Sequence, residues 1–272
     1  MNTKVLFTAL TFLITSSFTI AQNKYHCLDE SCAFMPGQQV YVFGNDVKLR
    51  SKPSAESEVL DLLKIGESVV IVGKTAFSWP YNGFDSFFYE VRYNNESTGY
   101  ILGGLLALER KNLNGINYYF AYSKRHKKTF LNIRHVENGD YVEVKIPLSN
   151  TTFGITTYDD KGVPGLDGMF YIDYLSEACG VDGGGIYVFA HNGLLTPTAS
   201  LTKVSDAGVY FHHERFIFPT DTGGLEDKIL FKKEAGEMLD EATNWTKTSV
   251  EIRELSWIDG QLVPEFEEIS TH

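Results

Sequence analysis

The sequence has little cysteine, proline and positive charge. Its 272 residues include three Cys and eight Pro, and 24 Lys and Arg stand against 35 Asp and Glu, so the formal net charge at pH 7 is -11. An acidic surface repels nucleic acid phosphates and anionic membranes, which argues against nucleic acid as a partner. The apolar share of 43% and the aromatic share of 14% are enough for real cores and exclude a disordered chain.

Long hydrophobic runs are lacking beyond the first twenty-one residues, so no membrane span is expected there. At the N-terminus, Lys4 leads into the apolar run "VLFTALTFLITSSFTI", which ends at the small residue Ala21. This order is typical of a cleaved secretory signal, and Thr and Ser interrupt the run too often for a membrane anchor. Cys27 lacks the small-residue box that lipid attachment requires. We therefore predict cleavage near Ala21 and a secreted or periplasmic chain.

The three cysteines favour a disulfide over a metal centre. Cys27 and Cys32 in "HCLDESC" are close enough to form a small loop, and either could instead pair with Cys179. A zinc site would need His26 together with the remote Cys179, and no paired CxxC spacing occurs. The sequence predicts no metal site and leaves the pairing open.

Recognisable catalytic motifs are also missing. No Walker loop, no GxGxxG after a strand, no nucleophile elbow and no HExxH occurs. Cys179 is the one candidate nucleophile, with His191, His212 and His213 as candidate bases, but glycines and a strand pattern follow it where a helix N-terminus would be expected. We expect no cofactor and no enzyme, although a distant pair of carboxylates for glycoside cleavage would leave no local trace.

Two polar stretches with metal-ligand residue types are interpreted as structural. In "FHHERFIF", His212 and Glu214 fall on one face of a strand and His213 and Arg215 on the other, so they cannot converge on one metal. The acidic stretch "YDDKGVPGLDG" (158–168) lacks the spacing of an EF-hand loop, and we interpret it as a turn.

Most of the chain has strand patterning. β-branched and aromatic residues recur in short runs such as "INYYFAY" and "GGIYVFA", and turn signals separate them. Hairpin signals of the type Asn-Gly or Asp-Gly occur at 114–115, 138–139, 167–168, 182–183, 192–193 and 259–260. The basic cluster "SKRHKK" (123–128) lies between two strand patterns and indicates a hairpin tip. Only "AESEVLDLLK" (55–64) and "EAGEMLDEAT" (234–243) have helical composition, and the first is better interpreted as a loop entering a strand.

A charged stretch, "LALERKNLNG" (106–115), separates two strand-rich blocks. We predict an all-β chain with a signal peptide at 1–21, an N-terminal segment with the Cys pair at 22–37, a small domain at 38–108 and a larger one at 112–272. The larger domain is expected to be an antiparallel sandwich or an assembly of hairpins.

The stretch "NDVKLRSKPSAESEVLDLLKIGESVVIVG" (45–73) carries a family resemblance. It resembles the bacterial SH3 (SH3b) family, whose usual order is a strand with Arg-Ser-x-Pro-Ser, a loop, a Leu-x-x-Gly turn and a strand rich in Val. The matching residues are Val47, Leu49, Arg50, Ser51, Pro53, Ser54, Val59, Leu60, Leu63, Gly66, Val69, Val70 and Val72. Further on, "FFYEVRYNNESTGYILGGLLAL" is similar to the closing strands of the family, and the resemblance spans about residues 40–108.

The resemblance implies a small, strongly bent β-barrel, often found in exported bacterial proteins that bind cell-wall peptides and usually non-catalytic. Three departures matter. The usual Gly after Arg-Ser is Lys52, the frequent Trp positions hold Phe88 and Tyr100, and "KTAFSWPYNGFDS" is a longer connection than usual. An altered ligand groove is the expected consequence. Wall-associated SH3b modules often precede an NlpC/P60 cysteine peptidase, whose Asp-Cys-Ser/Thr-Gly signature is missing around Cys179.

Four aromatic residues near predicted loops suggest a binding surface: Tyr41, Trp79, Tyr81 and Tyr100. Such rings stack on a peptide or sugar while their polar tips stay wet, although two or three of them could instead cap the barrel. The sequence therefore predicts an exported, non-catalytic binding protein of the cell envelope. Its partner would be cell-wall peptide or another envelope protein. The alternative is a cell-wall hydrolase, or a regulator of one, with the C-terminal block as the active domain.

Overall fold

The computed structural model describes residues 25–94, 97–176, 183–206, 209–240 and 245–266. The fold is all-β, as predicted, with curled antiparallel sheets and two short 3-10 turns at Glu30–Cys32 and Gly103–Leu105. The predicted signal peptide, 1–21, and Cys179 lie outside the described residues.

The first sheet is a six-stranded barrel with the order β1-β4-β5-β6-β2-β3. Its strands are β1 (Gln39–Tyr41), β2 (Val47–Arg50), β3 (Val59–Leu63), β4 (Ser68–Tyr81), β5 (Phe84–Tyr93) and β6 (Ser97–Leu102). Val47 and Leu49 are buried while Lys48 between them is exposed, as the alternating pattern predicts. They join a core that includes Val69, Ile71 and Ile101.

A four-stranded sheet follows, with the order β10-β9-β8-β7. Its strands are β7 (Glu109–Leu113), β8 (Ile116–Arg125), β9 (Lys128–Glu137) and β10 (Asp140–Leu148). The charged stretch between the two blocks is thus itself partly a strand, β7. The basic cluster forms the tip between β8 and β9, which confirms that prediction.

The third sheet has eight strands in sequence order. They are β11 (Phe153–Tyr158), β12 (Gly168–Tyr174), β13 (Gly183–His191), β14 (Leu194–Asp206), β15 (Tyr210–Ile217), β16 (Ile229–Asp240), β17 (Trp245–Ile258) and β18 (Gln261–Val263). All its strand pairs are antiparallel, so each can be joined by a short connection.

Most of the hairpin signals lie at turns, as predicted. Positive φ angles occur at both central residues of the turns at 114–115, 138–139, 192–193 and 259–260, as type I′ turns require. The pair at 167–168 is an exception, because Gly168 begins β12 instead of closing a hairpin. Residue 182 lies outside the described residues.

One composition signal was wrong. The stretch 234–243 has helical composition, yet residues 234–240 belong to β16, and 241–243 lie outside the described residues. This part of β16 pairs with β15 on one side and β17 on the other, and two hydrogen-bonded neighbours outweigh a weak local propensity. The other such stretch contains β3, in agreement with a loop that enters a strand.

The four-stranded sheet is buried on both faces at β8. Tyr118, Phe120 and Tyr122 point to a core shared with the eight-stranded sheet. The alternate residues, Tyr119 and Ala121, pack against the barrel. The barrel and the eight-stranded sheet therefore pack on opposite faces of the four-stranded sheet.

The N-terminal segment joins these parts. His26 forms a backbone bridge to Phe153 of β11, with N···O distances of 2.7 and 3.0 Å. Its ring lies 2.9 Å from the Glu109 carboxylate of β7. Phe34 packs edge-on against Tyr89 of the barrel at 5.4 Å between ring centroids. The N-terminal segment thus contacts all three sheets.

Candidate site on the barrel

A groove on the barrel, which we call the Trp79 groove, has a volume of about 280 Å³. The buried residues Val47, Phe88 and Leu102 belong to its lining. Trp79 of β4 also lines it and keeps 48% of its surface exposed. A buried apolar lining beside one accessible tryptophan is the arrangement typical of a small recognition site.

Charged side chains also line the groove. Lys48 and Arg50 lie two positions apart on β2, and Asp46 precedes them. The Arg50 guanidinium donates to the Ser57 backbone oxygen at 2.8 Å, which orients it. Asp46 is paired with Lys64, so the uncompensated charge of this groove is positive. The groove therefore suits a ligand with an apolar part and a carboxylate.

Tyr81 lines a different groove, of about 230 Å³, between the barrel and the N-terminal segment. Burial raises the pKa of Tyr81, and the nearby Arg134 lowers it in part. Lys74 lies over the Phe87 ring at 4.0 Å and pairs with Glu30 at 3.3 Å. These contacts hold the N-terminal segment against the barrel.

The other two predicted aromatic residues line neither groove. Tyr41 packs against Tyr119 at 6.1 Å between centroids, and the Arg110 guanidinium lies 4.2 Å from its ring centroid. It therefore belongs to the contact between the barrel and the four-stranded sheet. Tyr100 lies within β6, opposite Arg50 and Glu90. The structure does not bring the four residues into one site.

Cys27 and Cys32 form a disulfide with an S–S distance of 1.97 Å. Its loop borders the Tyr81 groove and not the Trp79 groove. This pairing accounts for two of the three cysteines.

Two of the candidate bases, His191 and His212, have partners among the described residues. The His191 ring contacts the Gly165 carbonyl oxygen at 2.6 Å, and His212 lies 3.2 Å from Glu214. His213 lies on the opposite face of β15 from His212, as the alternation predicts. Burial, Lys203 and Arg215 lower the pKa of His213.

Metal-binding clusters are not found in the part of the chain that the structure describes, where no three His, Cys, Asp or Glu residues converge. In the acidic stretch 158–168, Asp159 and Asp160 accept backbone N–H groups at 3.0 and 2.8 Å. Both carboxylates thus stabilise a turn. Within the described residues, no helix is long and apolar enough to cross a membrane.

Comparison with protein families agrees with the barrel geometry. Residues 45–107 match the family model of the bacterial SH3 domain. This range contains every residue named in the Trp79 groove. No curated protein and no solved structure matches the chain at a significant level.

Sequence reasoning found Trp79 but missed the cationic residues beside it. The alternation of "VKLR" already placed Lys48 and Arg50 on the outer face of β2. What it could not show is that the hairpin of β4 and β5 places Trp79 next to that face. Phe88, which stands where the family often has Trp, is 3% exposed in the groove lining.

Proposed function

We propose that the protein is an exported, non-catalytic binding protein of the cell envelope whose barrel holds a cell-wall peptide in the Trp79 groove. The observation that carries this proposal is the half-exposed Trp79 beside buried apolar residues and two cations, inside the segment that matches the bacterial SH3 family. Domains of this family suggest a cell-wall or peptidoglycan-binding module.

The chemistry of the groove favours peptide over bare glycan. Trp79 supplies a flat apolar contact, and the apolar lining suits an aliphatic side chain. Lys48 and Arg50 suit the carboxylates of an acidic peptide. Export is supported by the signal-like N-terminus and by the disulfide, since such bonds persist in oxidising compartments.

Sedimentation with purified peptidoglycan tests the proposal. Trp79→Ala should reduce retention about tenfold or more, because a central tryptophan often dominates a small interface. Phe77→Ala is the matched control, since Phe77 lies on the same strand, is 63% exposed and lines neither groove. Glycan stripped of its peptides should not retain the wild-type chain.

Three results would contradict the proposal. Equal retention of the two variants would show that Trp79 does not contribute to binding. Retention of the wild type on stripped glycan would show that the glycan, and not the peptide, is the ligand. Release of soluble fragments by purified protein would favour the alternative, a hydrolase.

A further inference from the structure

A further concave region lies on the eight-stranded sheet, far in sequence from the barrel. Its volume is about 680 Å³, within the range of small-molecule sites. It is found where β15 diverges from β14, since the two strands pair only from Lys203 to Asp206. Beyond that point Glu214 accepts both the backbone N–H and the hydroxyl of Thr202 at 3.0 Å. We call it the sheet cavity.

Glycine shapes one wall of the sheet cavity. Gly184 of β13 has φ of +90°, and a Cβ at this position would lie 2.1 Å from the Leu201 backbone oxygen. Any larger residue would push β13 away from β14. Gly184, in the glycine run that follows Cys179 in the sequence, thus allows β13 and β14 to lie close together beside this cavity.

Tyrosines form a second wall. Tyr171 and Tyr187 stack with ring centroids 4.5 Å apart and an interplanar angle of 31°. Burial raises the pKa of both, so their hydroxyls stay protonated and can donate hydrogen bonds. Tyr187 also packs on Phe216, which fixes it in place.

Charged groups of both signs line the sheet cavity. Lys203 and Arg215 are exposed, and Arg215 shares Glu234 at 3.6 Å with Lys232. Asp173 is half-buried, and burial raises its pKa while Lys203 lowers it in part. None of the ion pairs found among the described residues includes Lys203, although it lies close enough to Asp173 to act on its pKa. Lys203 and Arg215 thus place two positive groups at this cavity.

We propose that the sheet cavity binds a saccharide that carries a carboxylate. The carboxylate meets Lys203 and Arg215, and the ring hydroxyls donate to Asp173 and accept from the tyrosine hydroxyls. The inference concerns a different part of the chain from the Trp79 groove and does not rest on the proposed function.

Titration of the full-length chain, followed by NMR of its backbone amides, tests the inference with three probes. D-glucuronate should shift the signals of Gly184 and Lys203 saturably. D-glucose, which lacks the carboxylate, should bind about tenfold more weakly, the loss expected for one charge-assisted hydrogen bond. Acetate, which lacks the ring, should leave the signals unchanged at the same concentration.

A matched pair of variants locates the site. Lys203→Met should weaken glucuronate binding about tenfold. Because Lys203 is exposed, the change should leave stability within about 0.5 kcal/mol of the wild type, which thermal unfolding checks. Lys247→Met, at an exposed position of β17 outside the cavity, should bind as the wild type does. The inference is overturned if glucuronate shifts nothing, if glucose binds equally well, if acetate gives the same shifts, or if Lys203→Met retains full affinity.

Discussion

The barrel and the eight-stranded sheet bury their apolar residues in different ways. The barrel curls around one core of its own, whereas the eight-stranded sheet has one core against the four-stranded sheet and a second on its opposite face. The contact of the barrel with β8 is much smaller, with Phe43, Ile65 and Tyr119 among its buried residues. Two sheets therefore form one folded body, and the barrel is attached to it by a limited surface.

Specific contacts reinforce that limited surface. The Arg134 guanidinium donates to the Phe43 carbonyl oxygen at 2.9 Å and lies 4.0 Å from the Tyr141 ring centroid. The tip of the β4–β5 hairpin also reaches β8, where the Lys124 amide donates to the Asn82 oxygen at 2.7 Å. The long connection "KTAFSWPYNGFDS" forms this hairpin, and its tip contacts β8.

The largest expected effect is in the core between the two sheets. Phe170 is fully buried, edge-on to Tyr118 at 5.1 Å and to Phe120 at 5.3 Å. Phe170→Ala should lower the free energy of unfolding by about 3–5 kcal/mol, the cost of a large cavity in a packed core. Phe77→Ala, at 63% exposure, should change it by less than about 0.5 kcal/mol. Urea denaturation measures both, and similar losses would contradict the described core.

An intermediate effect is expected at the docked hairpin. A Cβ on Gly83 would lie 2.2 Å from the Lys124 backbone oxygen. Gly139 has nearly the same φ, +84° against +81°, with no atom within 4 Å. Both alanine variants bear the cost of positive φ, and Gly83→Ala should lose about 1–3 kcal/mol more through the clash. Equal losses in urea denaturation would show that the tip does not dock on β8.

The smallest effect is expected at Glu109, where the N-terminal segment meets β7. Burial raises the pKa of this carboxyl, but hydrogen bonds from His26 and Lys111 outweigh burial and lower the pKa below 4.5. The ionised carboxylate therefore stabilises the fold above the ordinary glutamate pKa, and this contribution is lost as the pH falls through the lower folded value.

Glu109→Gln should cost about 1 kcal/mol at neutral pH. The difference from the wild type should shrink as the solution is acidified, as thermal unfolding at several pH values would show. Glu58→Gln, at an exposed position, is the control. If the difference in stability between wild type and Glu109→Gln did not change with pH, the proposed stabilisation of the Glu109 carboxylate by His26 and Lys111 would be contradicted.

Local signals in the sequence predicted much of the fold. Neighbouring residues decide the alternation at Val47 and Leu49 and the Asn-Gly turn at 114–115. Both signals can therefore be recognised in the sequence without knowledge of tertiary contacts. The helical composition of 234–243 predicted the wrong structure, because pairing with β15 and β17 makes β16 a strand. The bridge between His26 and Phe153 joins residues far apart in sequence, and no local pattern announces it.

The candidate site was predictable in part for the same reason. Trp79 stood out by residue type, whereas the outward position of Lys48 in β2 did not by itself connect it with a site. Their proximity depends on how the barrel closes, which composition does not encode. The sheet cavity depends on the point at which β14 and β15 stop pairing. That point is known only from the strand register of the structure.

The central claim is that the Trp79 groove recognises cell-wall peptide. Isothermal titration of the wild type, Trp79→Ala and Phe77→Ala with soluble peptide released from purified cell wall tests it most directly. The account predicts saturable binding by the wild type and Phe77→Ala and at least about tenfold weaker binding by Trp79→Ala. Equal affinity of all three, or no binding by the wild type, would contradict it.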